Sequence, residues 1–391
     1  MANEISHAHE CEPNCVSECV TECVSECVTE CEPNCEPDCE SILINESELF
    51  MKYKSSYFHA FMDLSTYSVY MITTIYLLWF FKNSYFSIFT IPLMSLMGVR
   101  SFIIFHDCCH NSYSPNKLLN YAISHLTGAV VVTSPNWLID HHTHHLTNGN
   151  IGNKYDFAFN ETTLYTKRQY LSMSDGEKRR YRFYKNPFVF SVIIPVVYFG
   201  FFQRFYYVIK KYMYSHVNDS LINIIFNHAL NNTLIYLYIS LIYKYEIFPH
   251  YVCSFFISKM IAFTFFHNQH TFNPSYVKNC EEWKQKDSGI DGSSFIQIPW
   301  FLKYFFMGIE YHHIHHMNSK IPGYNLQKYH EEVVSKSDIF DNVYNLYMTD
   351  FYNNLWLSLY DEEGEKYITF NDLFNDLMVD QLNIQIKDKD I

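Results

Sequence analysis

No lysine or arginine occurs in the first 50 residues, although 13 of the chain's 41 aspartates and glutamates lie there. The remaining 341 residues hold 28 acidic and 28 basic side chains, so the net charge of -13 belongs to that first segment alone. A neutral body without a basic stripe offers nothing to nucleic acid. The first ten residues lack an apolar core, so no secretory signal peptide is expected. Cys-x-x-Cys is missing as well, which removes the usual zinc-knuckle reading of the cysteines.

What the first segment does contain is a repeat. Cys11, Cys15, Cys19, Cys23, Cys27, Cys31, Cys35 and Cys39 recur every fourth residue. Pro13, Pro33 and Pro37 oppose a continuous helix, and few large apolar groups are available to bury. Residues 1–50 are therefore expected to be a disordered acidic tail without a part in catalysis.

Histidines form three clusters in the rest of the chain: His106 and His110; His141, His142, His144 and His145; His312, His313, His315 and His316. On a helix, residues three and four apart share one face. The spacings i, i+4 and i, i+3, i+4 thus align His106 with His110, His141 with His144 and His145, and His312 with His315 and His316. His142 and His313 point off those stripes. Imidazole is the commonest metal ligand. At about four to six ligands per ion, this set calls for two ions. Nitrogen ligands suit Fe(II) handling dioxygen, although ligand type alone also admits zinc.

Long apolar runs flank the clusters. Leu64–Phe81 and Tyr85–Phe105 read as one helical hairpin, and Ile222–Tyr243 and Phe248–Phe266 as a second. Pro187–Phe202 is bounded by basic residues and carries two prolines, so it is expected to be interfacial or re-entrant, and Leu118–Val132 is expected in the interface too. Lys167, Arg168, Lys178, Arg179, Arg180, Arg182 and Lys185 mark their loop as cytoplasmic. The clusters must meet to share metals, so an even number of crossings separates them. The expected fold is an all-α integral membrane protein: four transmembrane helices in two hairpins, with a cytoplasmic helical di-iron cap. Residues 51–335 form this domain, and 336–391 a cytoplasmic C-terminal extension. Lys259 is a weak point, since a charge inside a membrane must face protein or water.

Arg100–Ser112, Trp137–Asn148 and Glu310–Leu326 resemble the three histidine boxes of the membrane fatty acid desaturases. The likeness extends over about residues 60–335. Glycine is usual where Cys109 stands, and a basic residue often takes the place of Leu138. The resemblance implies two iron ions that use O2 to remove two hydrogens from an acyl chain. It also implies electrons from cytochrome b5 or a ferredoxin. No His-Pro-Gly-Gly haem signature occurs, so a b5 donor is a separate protein. A further ligand is implied shortly before the third box, where the Gln-His pair makes it His270, with His267 the runner-up. Asp107, Asp140 and Glu310 sit beside the boxes and are candidates, with His267, to orient the imidazoles. The surroundings of the third box resemble those of Δ12 (omega-6) enzymes acting on membrane-lipid or CoA-linked chains. Localisation in the endoplasmic reticulum, with the site facing the cytoplasm, is expected. Lipid or carotenoid hydroxylases and ketolases of the same superfamily are the alternative. A metal transporter is a third reading, disfavoured because it would place ligands at mid-membrane depth.

Overall fold

In the computed structural model, residues 48–151, 164–213 and 220–387 are described. The cysteine repeat lies outside them. The architecture is mostly helical, as expected, with five short strands among the described residues. Its frame is two long antiparallel helix pairs, α1 (Tyr57–Phe80) with α2 (Ser87–Cys109), and α6 (Leu221–Lys244) with α7 (Phe248–His270).

Local chemistry sets their limits. The Ser56 hydroxyl caps α1 by accepting from the His59 N–H at 3.2 Å, so this helix starts seven residues before its apolar run. α2 does not stop at Phe105, where the apolar run ends. It continues through His106 to Cys109, because Asp107 and both cysteines are buried and the helix still has protein to pack against. Pro249 falls in the first turn of α7, where its missing N–H costs nothing. The turns after α1 and α6 lie at one end of the bundle, where Lys82 and Glu246 pair at 2.7 Å.

α2 is the central element, packed against α1, α3 (Lys117–Val130) and α7. α3 accounts for most of the 118–132 run and also contacts α6. At Gly98 a Cβ would lie 2.6 Å from Ser258 Oγ, so α2 and α7 approach closely there. α4 (Leu138–Thr147) follows a single turn of tight helix. The 187–202 run becomes Val189–Ile193 and Tyr198–Phe202 in wide π-helical turns around Ile194–Val197, bent by 64° from the helix Asp175–Tyr184. Pro195 interrupts the ladder there, as proline in a helix does. α5 (Gln203–Met213) continues from it. Among the described residues, α2 is long and apolar enough to cross a membrane, and the bent pair makes a second candidate if taken as one span.

The end of the bundle opposite the Lys82–Glu246 pair is covered by α8 (Gln285–Asp291), α9 (His312–Met317) and α10 (Gly323–Val334). Residues after 335 pack back onto this cap. β3 (Asn345–Tyr347) pairs in parallel with β2 (Phe295–Gln297), and β4 (Leu359–Asp361) lies between β1 (Tyr165–Thr166) and β5 (Lys366–Ile368).

Candidate metal centre

Four helix segments bring the histidines together. The last turn of α2 carries His106, and His110 caps it. α4 supplies His141, His144 and His145, and the end of α7 supplies His270. α9, only six residues long, supplies His312, His315 and His316. Two groups result. His106, His110, His141, His145 and His315 form one, and His144, His270, His312 and His316 the other, with donor atoms within 4.8 Å of one another in each. Either could hold a metal ion. They abut where His145 stacks on His316, ring centroids 4.2 Å apart. His142 is exposed. His313 is buried on the other side of α9, its Nε2 3.2 Å from His330 Nδ1.

The donor geometry fits cations. His106 Nε2 lies 3.0 Å from His141 Nε2, and His145 Nε2 is 3.0 Å from both His141 and His315. In the second group, His144 to His270, His144 to His316 and His270 to His312 measure 3.1, 3.1 and 2.9 Å. Nitrogens about 2.1 Å from an ion stand about 3.0 Å apart at right angles and about 3.4 Å apart in a tetrahedron. The nearest pairs in each group stand at spacings that a shared ion allows. His270 Nδ1 lies 3.1 Å from the Gly292 carbonyl, which can only accept. Its neutral ring therefore carries the proton on Nδ1 and turns a lone pair toward His144 and His312. Imidazole nitrogens that converge at that distance suit a shared cation. His110 Nε2 is buried and has no hydrogen-bond partner among the described residues. Burial first, then the neighbouring imidazoles, holds His110, His141, His144, His145, His312, His315 and His316 well below the usual histidine range. Neutral imidazole is the ligating form.

The residues beside the boxes differ in their contacts. Asp107 bridges, with Oδ1 3.1 Å from His106 Nδ1 and Oδ2 accepting from the Gly323 N–H at 2.6 Å. Gly323 has no room for a Cβ against the Met307 carbonyl, so α10 starts tight against this carboxylate. Asp140 faces the other way, paired with Lys210 and accepting from the Tyr198 hydroxyl at 3.1 Å. Glu310 is buried with Oε2 unpartnered among the described residues, and burial raises its carboxyl to about 7. His267 is buried outside both groups, its Nε2 3.0 Å from the Asn354 carbonyl. Groups that hold a ligand's second nitrogen typically contribute 10–100-fold to metal affinity or activity. Asp107→Asn is expected to lower metal affinity by about that factor, while Asp140→Asn leaves it within about twofold. Metal titration of the two variants in detergent checks this.

An apolar cavity meets the imidazoles. Its lining is mostly aromatic and aliphatic. Val99, Phe102 and Ile103 of α2, Phe199, and Ala262 and Phe266 of α7 help to form its walls, with His106, His141 and His312 at one end. Trp137 lines it and stacks on His141 with centroids 4.1 Å apart. Cys109 and Leu138 pack with Phe105 and Phe199 behind this wall. Lys259 lines the cavity as well. The spacing of histidines foreshadows none of this, since the wall is assembled from five separate segments.

Buried imidazoles that converge at the end of a hydrocarbon-lined cavity define an oxidoreductase that works on an apolar chain. Comparison makes the class specific. Residues 65–347 match the family model described as fatty acid desaturase, and the chain belongs to that family. It is similar to a fatty acid desaturase of Bacillus subtilis, 32% identical over 276 residues, covering 69% of this chain and 74% of that one. A chloroplastic omega-6 fatty acid desaturase of Arabidopsis thaliana is 25% identical over 238 residues, covering 59% and 50%. An sn-1 acyl-lipid omega-3 desaturase (ferredoxin) of Nostoc is 36% identical over 100 residues, covering 25% of each chain.

Proposed function

We propose that this desaturase uses two iron ions and O2 to place a double bond in a membrane-lipid or CoA-linked acyl chain at the Δ12 (omega-6) position. The observation that carries the reading is the pair of buried histidine groups at the end of an apolar cavity. Their nine histidines are the proposed ligands: His106, His110, His141, His145 and His315 for one ion, and His144, His270, His312 and His316 for the other. The omega-6 relative and the surroundings of the third box support the position.

Bound iron supplies the activation of O2 and the removal of two hydrogens. The chain's own residues do the rest. The cavity holds the acyl segment straight and excludes water. Trp137 closes the wall beside His141. Asp107 and the Gly292 carbonyl fix the rings of His106 and His270 by holding their Nδ1 protons. Electrons come from a separate cytochrome b5 or ferredoxin.

The lengths of α1, α2, α6 and α7 support a reading of these helices as four crossings. Each has 23 or 24 residues, enough at about 1.5 Å per residue for a core about 30 Å thick. Their outer faces leave Phe61, Ile72, Phe89, Ile222 and Tyr236 exposed, as lipid contact favours. The histidines then lie at the open ends of both hairpins, on the side of the basic 167–185 segment, which is cytoplasmic in an endoplasmic-reticulum membrane.

Expression of the chain in a desaturase-deficient yeast, followed by gas chromatography of its fatty acids, tests the proposal. New double bonds at Δ12 are expected. An unchanged profile from a well-expressed, iron-loaded protein rejects it.

A further inference from the structure

We propose that Lys259 closes the inner end of the substrate cavity and sets how much acyl chain extends beyond the metals. This inference rests on the desaturase reading above. Lys259 stands mid-way along α7, eleven residues before His270, or about 16 Å along the helix axis. The residue is 3% exposed and lines the cavity. The ammonium lies 4.0 Å from the Phe199 ring centroid and 5.5 Å from those of Phe102 and Phe255, and donates to Thr133 Oγ1 at 3.4 Å. Cation–π attraction to three rings fixes the charge in place in an otherwise apolar surrounding.

The cavity therefore has two chemically different ends. Imidazoles form one, and a caged cation contributes to the other. A chain whose polar head stays near the imidazole end sends its methyl end toward Lys259. Methylenes pack well along Phe102, Phe199, Ala262 and Phe266. To go further, the tip must push aside a long side chain that three rings and Thr133 hold across its path. The lysine is thus a specificity-determining residue that acts as a stop. Chains that overrun it are rejected, and a pocket wall discriminates about tenfold or more per methylene.

The full-length chain expressed in the same yeast, fed saturated fatty acids of graded length, tests this. Chromatography reads the chain-length distribution of the unsaturated products, and iron content of the purified protein reads the integrity of the site. Lys259→Ala is expected to raise the ratio of longer to shorter products about tenfold at normal iron content. Lys259→Met, similar in length but uncharged, is expected to keep the wild-type distribution within about twofold, because bulk makes the stop. Ala262→Phe, one turn nearer the metals on the same face, is expected to shift products to shorter chains, and serves if the alanine variant fails to accumulate. An unchanged distribution in Lys259→Ala or Ala262→Phe at normal iron content overturns the proposal. So does a loss of activity in Lys259→Met as large as in Lys259→Ala, which would make the ammonium a binding group for a polar oxygen. Failure of the desaturase reading shows separately, as a wild-type chain that desaturates no fatty acid of any length.

Discussion

His315→Ala and His312→Ala are each expected to abolish desaturation, by at least about 100-fold, since even groups that merely orient a ligand contribute 10–100-fold. The two substitutions strike different groups. His315 stands with His106, His110, His141 and His145, and His312 with His144, His270 and His316. Iron content is expected to fall from the proposed two per chain to one or less in either variant. His313→Ala is the matched control. His313 lies between them in sequence but contacts His330 on the far side of α9, so its loss leaves the metal count unchanged. Fatty acid profiles together with metal analysis of the purified variants decide the matter. Activity retained in His312→Ala would remove the second group from the chemistry.

The second large effect concerns stability. Arg100 is buried in α2, where its guanidinium pairs with Asp63 of α1 and the Tyr304 carbonyl, and lies 4.4 Å from the Tyr304 ring centroid. Asp63 also accepts from the Tyr113 hydroxyl at 2.9 Å. Removing one partner of such a pair leaves a buried charge uncompensated and typically costs about 3–5 kcal/mol. Arg100→Leu is expected to destabilise the detergent-solubilised protein by that amount. The double variant Arg100→Met with Asp63→Leu is expected to recover most of it, because no charge is then stranded. Thermal unfolding of the three proteins measures both. Equal destabilisation in the single and double variants would show that packing, and not the stranded carboxylate, carries the cost.

Much of the site was legible in the sequence because its signals are local. The i, i+3, i+4 spacing in α4 and α9 puts three imidazoles on one face wherever those helices lie. It also sets His142 and His313 apart. His270 came through resemblance, since one histidine at the end of a long apolar helix carries no spacing of its own. The pairing of Asp140 with Lys210 was not legible, because the partners are 70 residues apart and Asp140 sits beside the metal boxes only along the chain. The extent of α2 was hidden for a related reason. Hydropathy falls at His106, but the helix runs on to Cys109, three residues later, because its side chains are still buried there. The place of Lys259 depends on rings from α2, α7 and the π-helical turns. No local pattern could combine them. The same holds for the stretch after 335, where β3 pairs with β2 and β4 with β1, both far back in the chain.

Both short helices of the centre serve both groups: α4 gives His141 and His145 to one and His144 to the other, and α9 divides His315 from His312 and His316 in the same way. This interleaving makes the centre intolerant of insertion. One residue added between His141 and His144 turns everything downstream by about 100° around the helix and exchanges neighbours between the two sites at once. Loops elsewhere can lengthen freely over evolutionary time, but the spacing inside these two helices is locked as a pair.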